Sequence, residues 1–229
     1  MFRKLILVFL FIAAYLLQGC FIKALHPFYH KNDITFDNTF LGTWYDQDSK
    51  RWEIVQHKGS KGFMKGDTLY QSYMVRFSDG DLEDEFIVHM FDLKGDTYLD
   101  FYPVLDNSNS PWDAEEKNND LYLYHIIPAH TLASFYKESD SLIYVKWFNE
   151  EWLQMLFEQR RIKIAHETVK QGRDDETYVL TAGTDELRRF ILKYGNDPKA
   201  FKAVWEAKEE DQDKEDFTKI LRRADAAKN

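Results

Sequence analysis

Apolar and polar residues alternate in short runs between Thr39 and Phe148, and this period of two is typical of β-strands with one buried face. Asp79-Gly80 and Gly95-Asp96 separate such runs and are typical of tight hairpin turns. The pattern predicts strands at Phe40–Tyr45, Arg51–His57, Thr68–Phe77, Glu85–Leu93, Thr97–Tyr102, Leu121–Ile126, Thr131–Lys137 and Leu142–Phe148. Consecutive strands joined by tight turns predict an antiparallel meander, closed as a barrel or folded as a sandwich.

The alternation assigns the two faces of the strand Thr97–Tyr102. Leu99 and Phe101 share one face, which we expect to be buried, while Tyr98, Asp100 and Tyr102 share the other. Because an unpaired buried carboxylate is costly, we expect the second face to turn toward water. The alternative is a buried, paired Asp100 that acts as a general base with His125 or His130 nearby.

Apolar residues recur at helical spacing after Phe148. A helix over Glu150–Arg160 is expected to follow the capping residue Asn149, and a second helix is expected to follow the capping residue Thr184 and to end at Gly195. Two more strands are predicted between these helices, at Ile162–Val169 and Thr177–Thr181.

The C-terminal residues predict further helices. Asp197-Pro198 opens a third helix with Phe201, Val204 and Trp205 on one side. The charged stretch Glu209–Asn229 predicts a weak amphipathic helix, because helical spacing persists at Phe217, Ile220, Leu221 and Ala224. The expected fold class is mainly β with C-terminal α, with about three to four helices in the C-terminal half.

The first residues have the pattern of an export signal. Arg3 and Lys4 precede an apolar run of 13 residues, Leu5–Leu17. A membrane-spanning helix needs about 20 such residues, so this length favours a signal peptide. The segment that follows, Leu17-Gln18-Gly19-Cys20, resembles the bacterial lipobox. The resemblance implies a diacylglyceryl group on the Cys20 sulfur and cleavage by signal peptidase II after Gly19.

Cys20 is the only cysteine of the chain, so no disulfide can form within it. A lipid on Cys20 would hold the protein on a membrane without a spanning helix. Phe21, rather than Asp, follows the cysteine. By resemblance to the sorting rule of enteric-type bacteria, this residue implies an outer-membrane location, and we expect the domain to face the periplasm.

Four parts of the chain are expected from these patterns. They are a lipoprotein signal peptide (1–19), a lipidated N-terminus with a short tether (20–38), an antiparallel β-barrel domain with one inserted helix (39–182), and C-terminal helices packed on the barrel with a charged tail (183–229). The tether is rich in apolar residues, so we expect it to lie on the folded domain or near the lipid surface.

Charge narrows the choice of partners. The formal net charge is −9, and it becomes −11 when residues 1–19, which hold two basic and no acidic residues, are removed. An acidic surface repels phosphates, so nucleic acid is not an expected partner. We expect neither a cofactor nor an enzyme, because the sequence holds no Gly-rich phosphate loop, G-x-S-x-G elbow or H-E-x-x-H motif.

Three histidines are candidate metal ligands. His125 and His130 flank a short segment that contains Pro128, and His89 on another strand could add a third ligand. This spacing lacks the helical or hairpin geometry that aims two rings at one ion. We therefore predict no metal site.

Gly42-Thr43-Trp44 opens the first strand of the meander. This segment resembles the G-x-W signature of lipocalin-like barrels, whose Trp closes the base of the barrel and whose interior holds apolar ligands. The chain also resembles an uncharacterised group of exported bacterial proteins, through the G-T-W start and the segments Tyr98–Pro103 and Ile127–Thr131. That second resemblance implies no activity.

Two functions remain open at this stage. The first is a membrane-anchored, lipocalin-like module that binds an apolar or amphipathic ligand such as a lipid, with Trp44, Phe101, Tyr102 and Trp147 lining or closing the site. The alternative is a structural or interaction protein of the cell envelope, with a filled barrel and a protein partner. The volume of any cavity distinguishes the two.

Overall fold

A computed structural model describes residues 22–57, 71–80, 82–104, 125–171, 175–201 and 218–224. The described strands are β1 (Lys23–Ala24), β2 (Ile34–Thr35), β3 (Gly42–Tyr45), β4 (Arg51–Gln56), β5 (Tyr73–Asp79), β6 (Leu82–Leu93), β7 (Asp96–Pro103), β8 (His130–Ser139), β9 (Leu142–Trp147), β10 (His166–Gln171), β11 (Asp175–Leu180) and β12 (Thr218–Arg223). The described helices are α1 (Glu150–Glu158) and α2 (Thr184–Tyr194), with short 3-10 turns at Lys31–Asp33 and Asn38–Phe40.

Eight of these strands close into an antiparallel barrel. The order around the barrel is β8-β7-β6-β5-β4-β3-β12-β9, and β9 pairs back onto β8. The predicted antiparallel barrel is thus confirmed, and the sandwich alternative is excluded. The short strand β2 pairs with β6 beyond the end of β5, and β1 joins β8 to the outer hairpin β10–β11.

Strand β12 corrects the prediction of a helix over Glu209–Asn229. Residues Thr218–Arg223 form a strand that pairs with both β9 and β3. Helical spacing of apolar side chains is only a local signal, and here the long-range pairing with β3 and β9 overrides it. Without β12, strands β3 and β9 would each leave a row of unpaired backbone groups at an open edge, whereas β12 supplies partners to both. Leu221 of this strand is fully buried in the barrel core.

The helices also differ from expectation in number and in one cap. Asn149 caps α1 as predicted, since its side chain accepts a hydrogen bond from the Trp152 backbone N–H. Gly183, rather than Thr184, occupies the cap position of α2, and Gly195 ends that helix as predicted. The described residues hold two α-helices instead of three to four: 198–201 form a turn, and 202–217 lie outside the described residues. Neither described helix is long and apolar enough to cross a membrane.

Strand β7 is buried on both faces, which the alternation did not predict. Leu99 and Phe101 point into the barrel as expected, and Tyr98 and Asp100 are also buried, on the outer face. A second apolar core covers that outer face. It combines the N-terminal residues Ile22, Ala24 and Phe28 with α1, α2 and the 198–201 turn. The barrel therefore has one core inside its wall and another outside.

Candidate functional site

Three of the four residues predicted to line a ligand site lie together inside the barrel. Trp44 and Phe101 are buried and Trp147 is half-buried, and the rings of Phe101 and Trp147 are 5.4 Å apart. Tyr102 lies on the outer face instead, with its ring 4.7 Å from the imidazole of His130. Trp44 is fixed by a hydrogen bond of 3.0 Å from its indole N–H to the Phe40 carbonyl.

One end of the barrel, here called the mouth, lies where β6 and β7 meet at the Lys94-Gly95 turn. Aromatic side chains fill the interior there: Phe40 packs edge-on against Tyr73, and Phe36 stacks on the same Tyr73 ring at 4.5 Å. The Tyr73 hydroxyl accepts a hydrogen bond from the Asp37 backbone N–H and donates one to the Asp37 carbonyl. Burial raises the pKa of Tyr73 strongly, so this hydroxyl stays protonated.

Arg223 of β12 explains why the first strand begins with Gly42 and Trp44. Its guanidinium lies over the Trp44 ring at 5.2 Å and donates hydrogen bonds to the carbonyls of Leu41 (2.8 Å) and Thr39 (3.3 Å). Gly42 has φ of +131°, and a Cβ at this position would lie 3.1 Å from Arg223 Nη2. No local pattern predicts this contact, because Arg223 and Gly42 lie near opposite ends of the chain.

A cavity of about 440 Å³ opens at the mouth, between the segment Thr35–Asp37 and the adjoining parts of β6, β7 and β8. Its apolar lining comes from Phe36, Met90 and Phe135, which belong to the barrel core or pack against it. Its polar lining includes Asp37, Asp92, Thr97 and Lys137, and the Gly95-Asp96 end of the turn borders it. The cavity therefore joins an apolar wall to a charged rim.

The charged side chains on this rim differ in how completely they are paired. The Lys137 ammonium donates to the Thr39 hydroxyl at 2.6 Å and lies 2.8 Å from an Asp140 oxygen and 3.6 Å from an Asp37 oxygen. Burial alone would raise the pKa of Asp37, but hydrogen bonds from Thr39 and the Lys137 charge together hold that pKa below its usual value. The only cation of this lining is thus already surrounded by oxygen atoms.

The remaining rim carboxylate, that of Asp92, is exposed. It accepts a hydrogen bond from the Thr97 hydroxyl at 2.7 Å, and no ion pair with a basic side chain is described for it. Asp96 borders the cavity at the turn, but its side chain lies on the outer face of β7 with that of Tyr98.

Asp100 forms a second candidate site, and its position corrects the expectation that it faces water. It is fully buried, and its carboxylate accepts hydrogen bonds from His130 Nδ1 at 2.6 Å and from the Phe28 backbone N–H at 2.9 Å. Burial raises the pKa of Asp100, while His130 and the Phe28 N–H act in the opposite direction. The prediction failed because residues 22–30 lie across the outer face of β7, and the alternation within a strand does not show what covers each face.

A carboxylate that holds His Nδ1 leaves Nε2 as the outward nitrogen, which is the geometry of an oriented general base. A general base must also reach a substrate. His130 is only 14% exposed in its side chain, and the pair lies beneath the N-terminal segment rather than in an open cleft. The Asp100–His130 pair therefore fits an anchoring role better than a catalytic one.

Other contacts hold the same N-terminal segment to α2. The Thr184 hydroxyl donates to the Pro27 carbonyl at 2.9 Å, and His30 Nε2 lies 2.7 Å from an Asp185 oxygen. Arg188 pairs with Asp33 at 2.8 Å. Residues 27–33 are thus bound both to the barrel wall and to a helix.

The histidines considered for a metal site do not converge on one ion. His89 lies directly opposite Asp100 in the β6–β7 register, with its ring 4.8 Å from that of Tyr29, whereas His125 lies at the surface. Within the described ranges no group of three or more histidine, cysteine or acidic side chains could hold a metal ion.

Comparison with known proteins adds no assignment: no family model, curated protein or solved structure matches this chain. Several predictions fall outside the described residues. They concern the signal peptide, Cys20, residues 68–70 of the strand predicted at Thr68–Phe77, residues 121–124 of the strand predicted at Leu121–Ile126, and Val204 and Trp205 of the third predicted helix.

Proposed function

We propose that the protein is a lipid-anchored lipoprotein of the bacterial cell envelope whose barrel binds a small amphipathic ligand at its mouth. The cavity beside Phe36, Met90 and Phe135 carries this proposal. Its volume of about 440 Å³ lies within the range of roughly 300–1,000 Å³ that is common for small-molecule sites. The anchor is assigned to Cys20 on the lipobox resemblance and on the preceding apolar run.

The proposed position of the ligand differs from a deep lipocalin-like chamber. Trp44, Phe40 and Tyr73 are almost completely buried and occupy the barrel interior near the mouth. A ligand would therefore rest its apolar part against Phe36, Met90 and Phe135 and keep its polar part at the rim. Such a division between an apolar wall and a few polar groups is typical of small-molecule sites.

A second candidate function is an interaction protein of the envelope that binds a partner protein instead of a small molecule. This second function is favoured by a partly exposed apolar surface at the far end of the barrel, where β5 and β6 meet at Gly80. Leu82 there is 72% exposed, and the aromatic side chains Phe77 and Phe86 are half-buried. Aromatic residues at a partly exposed surface are common in protein interfaces.

Native mass spectrometry of protein purified from its own cells tests the first proposal directly. We expect a retained mass in the wild type that is lost in Thr97→Trp, because an indole at this position would fill the cavity. Val55→Trp, at a position 38% exposed on the barrel surface, is the matched control and should keep the mass. Absence of any retained mass, together with no binding across a panel of amphiphiles, would reject ligand binding and favour the interaction protein.

A further inference from the structure

We infer that the short link between anchor and domain holds one side of the protein, the outer hairpin β10–β11 with the adjoining strand β1, against the lipid bilayer. This inference rests on the proposed function, from which it takes the lipid anchor at Cys20. It adds the surface that meets the membrane, and with it a fixed orientation of the barrel. The place where the packed N-terminal segment begins carries the inference.

The N-terminal segment packs on the domain from its first described residue. Ile22 is 2% exposed and Ala24 is fully buried, both in the outer apolar core. Strand β1 pairs with β8 on one side and with β11 on the other, and the Phe28 N–H donates to Asp100 at 2.9 Å. The segment is therefore part of the folded domain and not a flexible linker.

The link that remains between anchor and domain is very short. Only Phe21 separates Cys20 from Ile22 in the sequence. Consecutive Cα atoms are about 3.8 Å apart, so the Cα atom of Cys20 can lie no farther than about 8 Å from that of Ile22. Acyl chains on Cys20 would enter the bilayer at this point and supply the membrane affinity. A link of this length does not allow the domain to turn its opposite side to the membrane.

The strand register identifies the surface beside the anchor. Lys23 of β1 lies level with Val179 of β11, which lies level with Glu167 of β10. Neighbouring strands are about 4.8 Å apart, so β10 runs roughly 10 Å from β1. Because β1 and β10 run in opposite directions, Val169 lies two residues beyond Glu167 toward the Cys20 end of β1, and it is 43% exposed. We therefore expect the outermost strand β10 to lie at the lipid headgroups.

The barrel provides a matched reference position on its opposite side. Strand β8, which pairs with β1, and strand β4 are separated by three strands in either direction around the closed barrel, so they lie opposite each other. Val55 of β4 is 38% exposed, close to the 43% of Val169. Val55→Cys and Val169→Cys therefore place a thiol at similar valine positions on opposite sides. The only native cysteine would carry the lipid, so a thiol label reacts at the introduced position alone.

Fluorescence quenching by lipid tests the orientation. Each variant is expressed as the full chain, its acylation is verified by intact mass, and it is labelled with bimane. It is then reconstituted in phosphatidylcholine vesicles with or without a lipid that carries a nitroxide on its headgroup. Because this quenching acts only at short range, we expect the label at Val169→Cys to lose more than half of its fluorescence and the label at Val55→Cys to lose little. Inserting about 16 Gly and Ser residues after Phe21 adds roughly 20–24 Å of reach and should largely remove this difference.

The outcomes separate this inference from the proposed function. Equal quenching at the two positions of acylated protein would overturn the fixed orientation and leave the lipid anchor standing. A difference that persists after the insertion would overturn the short link as its cause. A label at Val169→Cys that is shielded from both the nitroxide lipid and aqueous iodide would show that a second copy, and not the bilayer, covers β10. A chain without acylation would reject the anchor of the proposed function and this inference with it.

Discussion

Replacing Asp100 by alanine tests whether this buried carboxylate anchors the N-terminal segment to the barrel. Asp100→Ala removes two hydrogen bonds to a buried acceptor, one from His130 Nδ1 and one from the Phe28 N–H. Hydrogen bonds to charged groups contribute about 1.5–3 kcal/mol, and a buried amide left without a partner costs about 1–3 kcal/mol. These contributions are not additive, and relief from burying a charge offsets part of them. We expect the free energy of unfolding to fall by about 2–4 kcal/mol.

Asp100→Asn separates the role of the charge from the role of the hydrogen bonds. The asparagine oxygen can accept from Phe28, and its amide can donate to Nδ1 of a neutral His130 whose proton has moved to Nε2. At pH 8 we therefore expect Asp100→Asn to cost less than half as much as Asp100→Ala.

Urea unfolding measures these free energies, and hydrogen exchange of the Phe28 amide reports whether the segment is released. Asp96→Ala, on the exposed end of the same strand, is the control and should change stability by no more than about 0.5 kcal/mol. The reasoning fails if Asp100→Ala lies within that range, if the Phe28 amide stays protected in Asp100→Ala, or if Asp100→Asn costs as much as Asp100→Ala at pH 8.

Three further predictions concern other parts of the chain. Arg223→Ala should lower the free energy of unfolding in urea by about 2–4 kcal/mol, because it removes the hydrogen bonds to the Leu41 and Thr39 carbonyls and the contact with Trp44. Arg223→Lys should recover only a part of this stability. A loss below about 0.5 kcal/mol in Arg223→Ala would contradict this role. Burial raises the pKa of Glu150 to about 7, above its usual 4.5. The contribution of Glu150 to stability is therefore complete below the unfolded-state pKa and is lost as the pH rises through about 7. Glu150→Gln should remove this dependence of stability on pH and should be more stable than wild type at pH 8 by on the order of 1–2 kcal/mol, a figure reduced for partial exposure. The same pH dependence of stability in both proteins would refute this prediction. Cys20→Ala should abolish metabolic labelling with palmitate, and normal labelling of that variant would contradict lipidation.

Local signals predicted the parts of the fold that are determined locally. Gly80 and Gly95 have positive φ in the tight turns that join β5 to β6 and β6 to β7, and these are the conformations that favour glycine. Asn149 caps α1 through its own side chain, within one turn of the helix. In each case the residues that determine the structure are neighbours in sequence, so a short pattern contains the necessary information.

The same patterns could not reveal contacts between distant segments. Arg223 reaches the carbonyls beside Gly42 only because β12 closes the barrel, and Asp37 comes to the mouth because β2 pairs with β6. No local pattern marks either residue. The rim of the cavity, assembled from four separate segments, was therefore not predicted as a site.

One missed feature did leave a signal in the sequence. The segment Tyr98–Tyr102 is apolar or aromatic at every position except Asp100, and a strand with such a continuous run is buried on both faces. Two-sided burial would have required a partner for Asp100, and residues 22–30 supply both that partner and the covering layer. The apolar residues of this segment predict that it lies on the folded domain or near the lipid surface, since apolar side chains gain stability only where they leave water. They do not indicate which face of the barrel the segment covers, and that face is the one that holds Asp100.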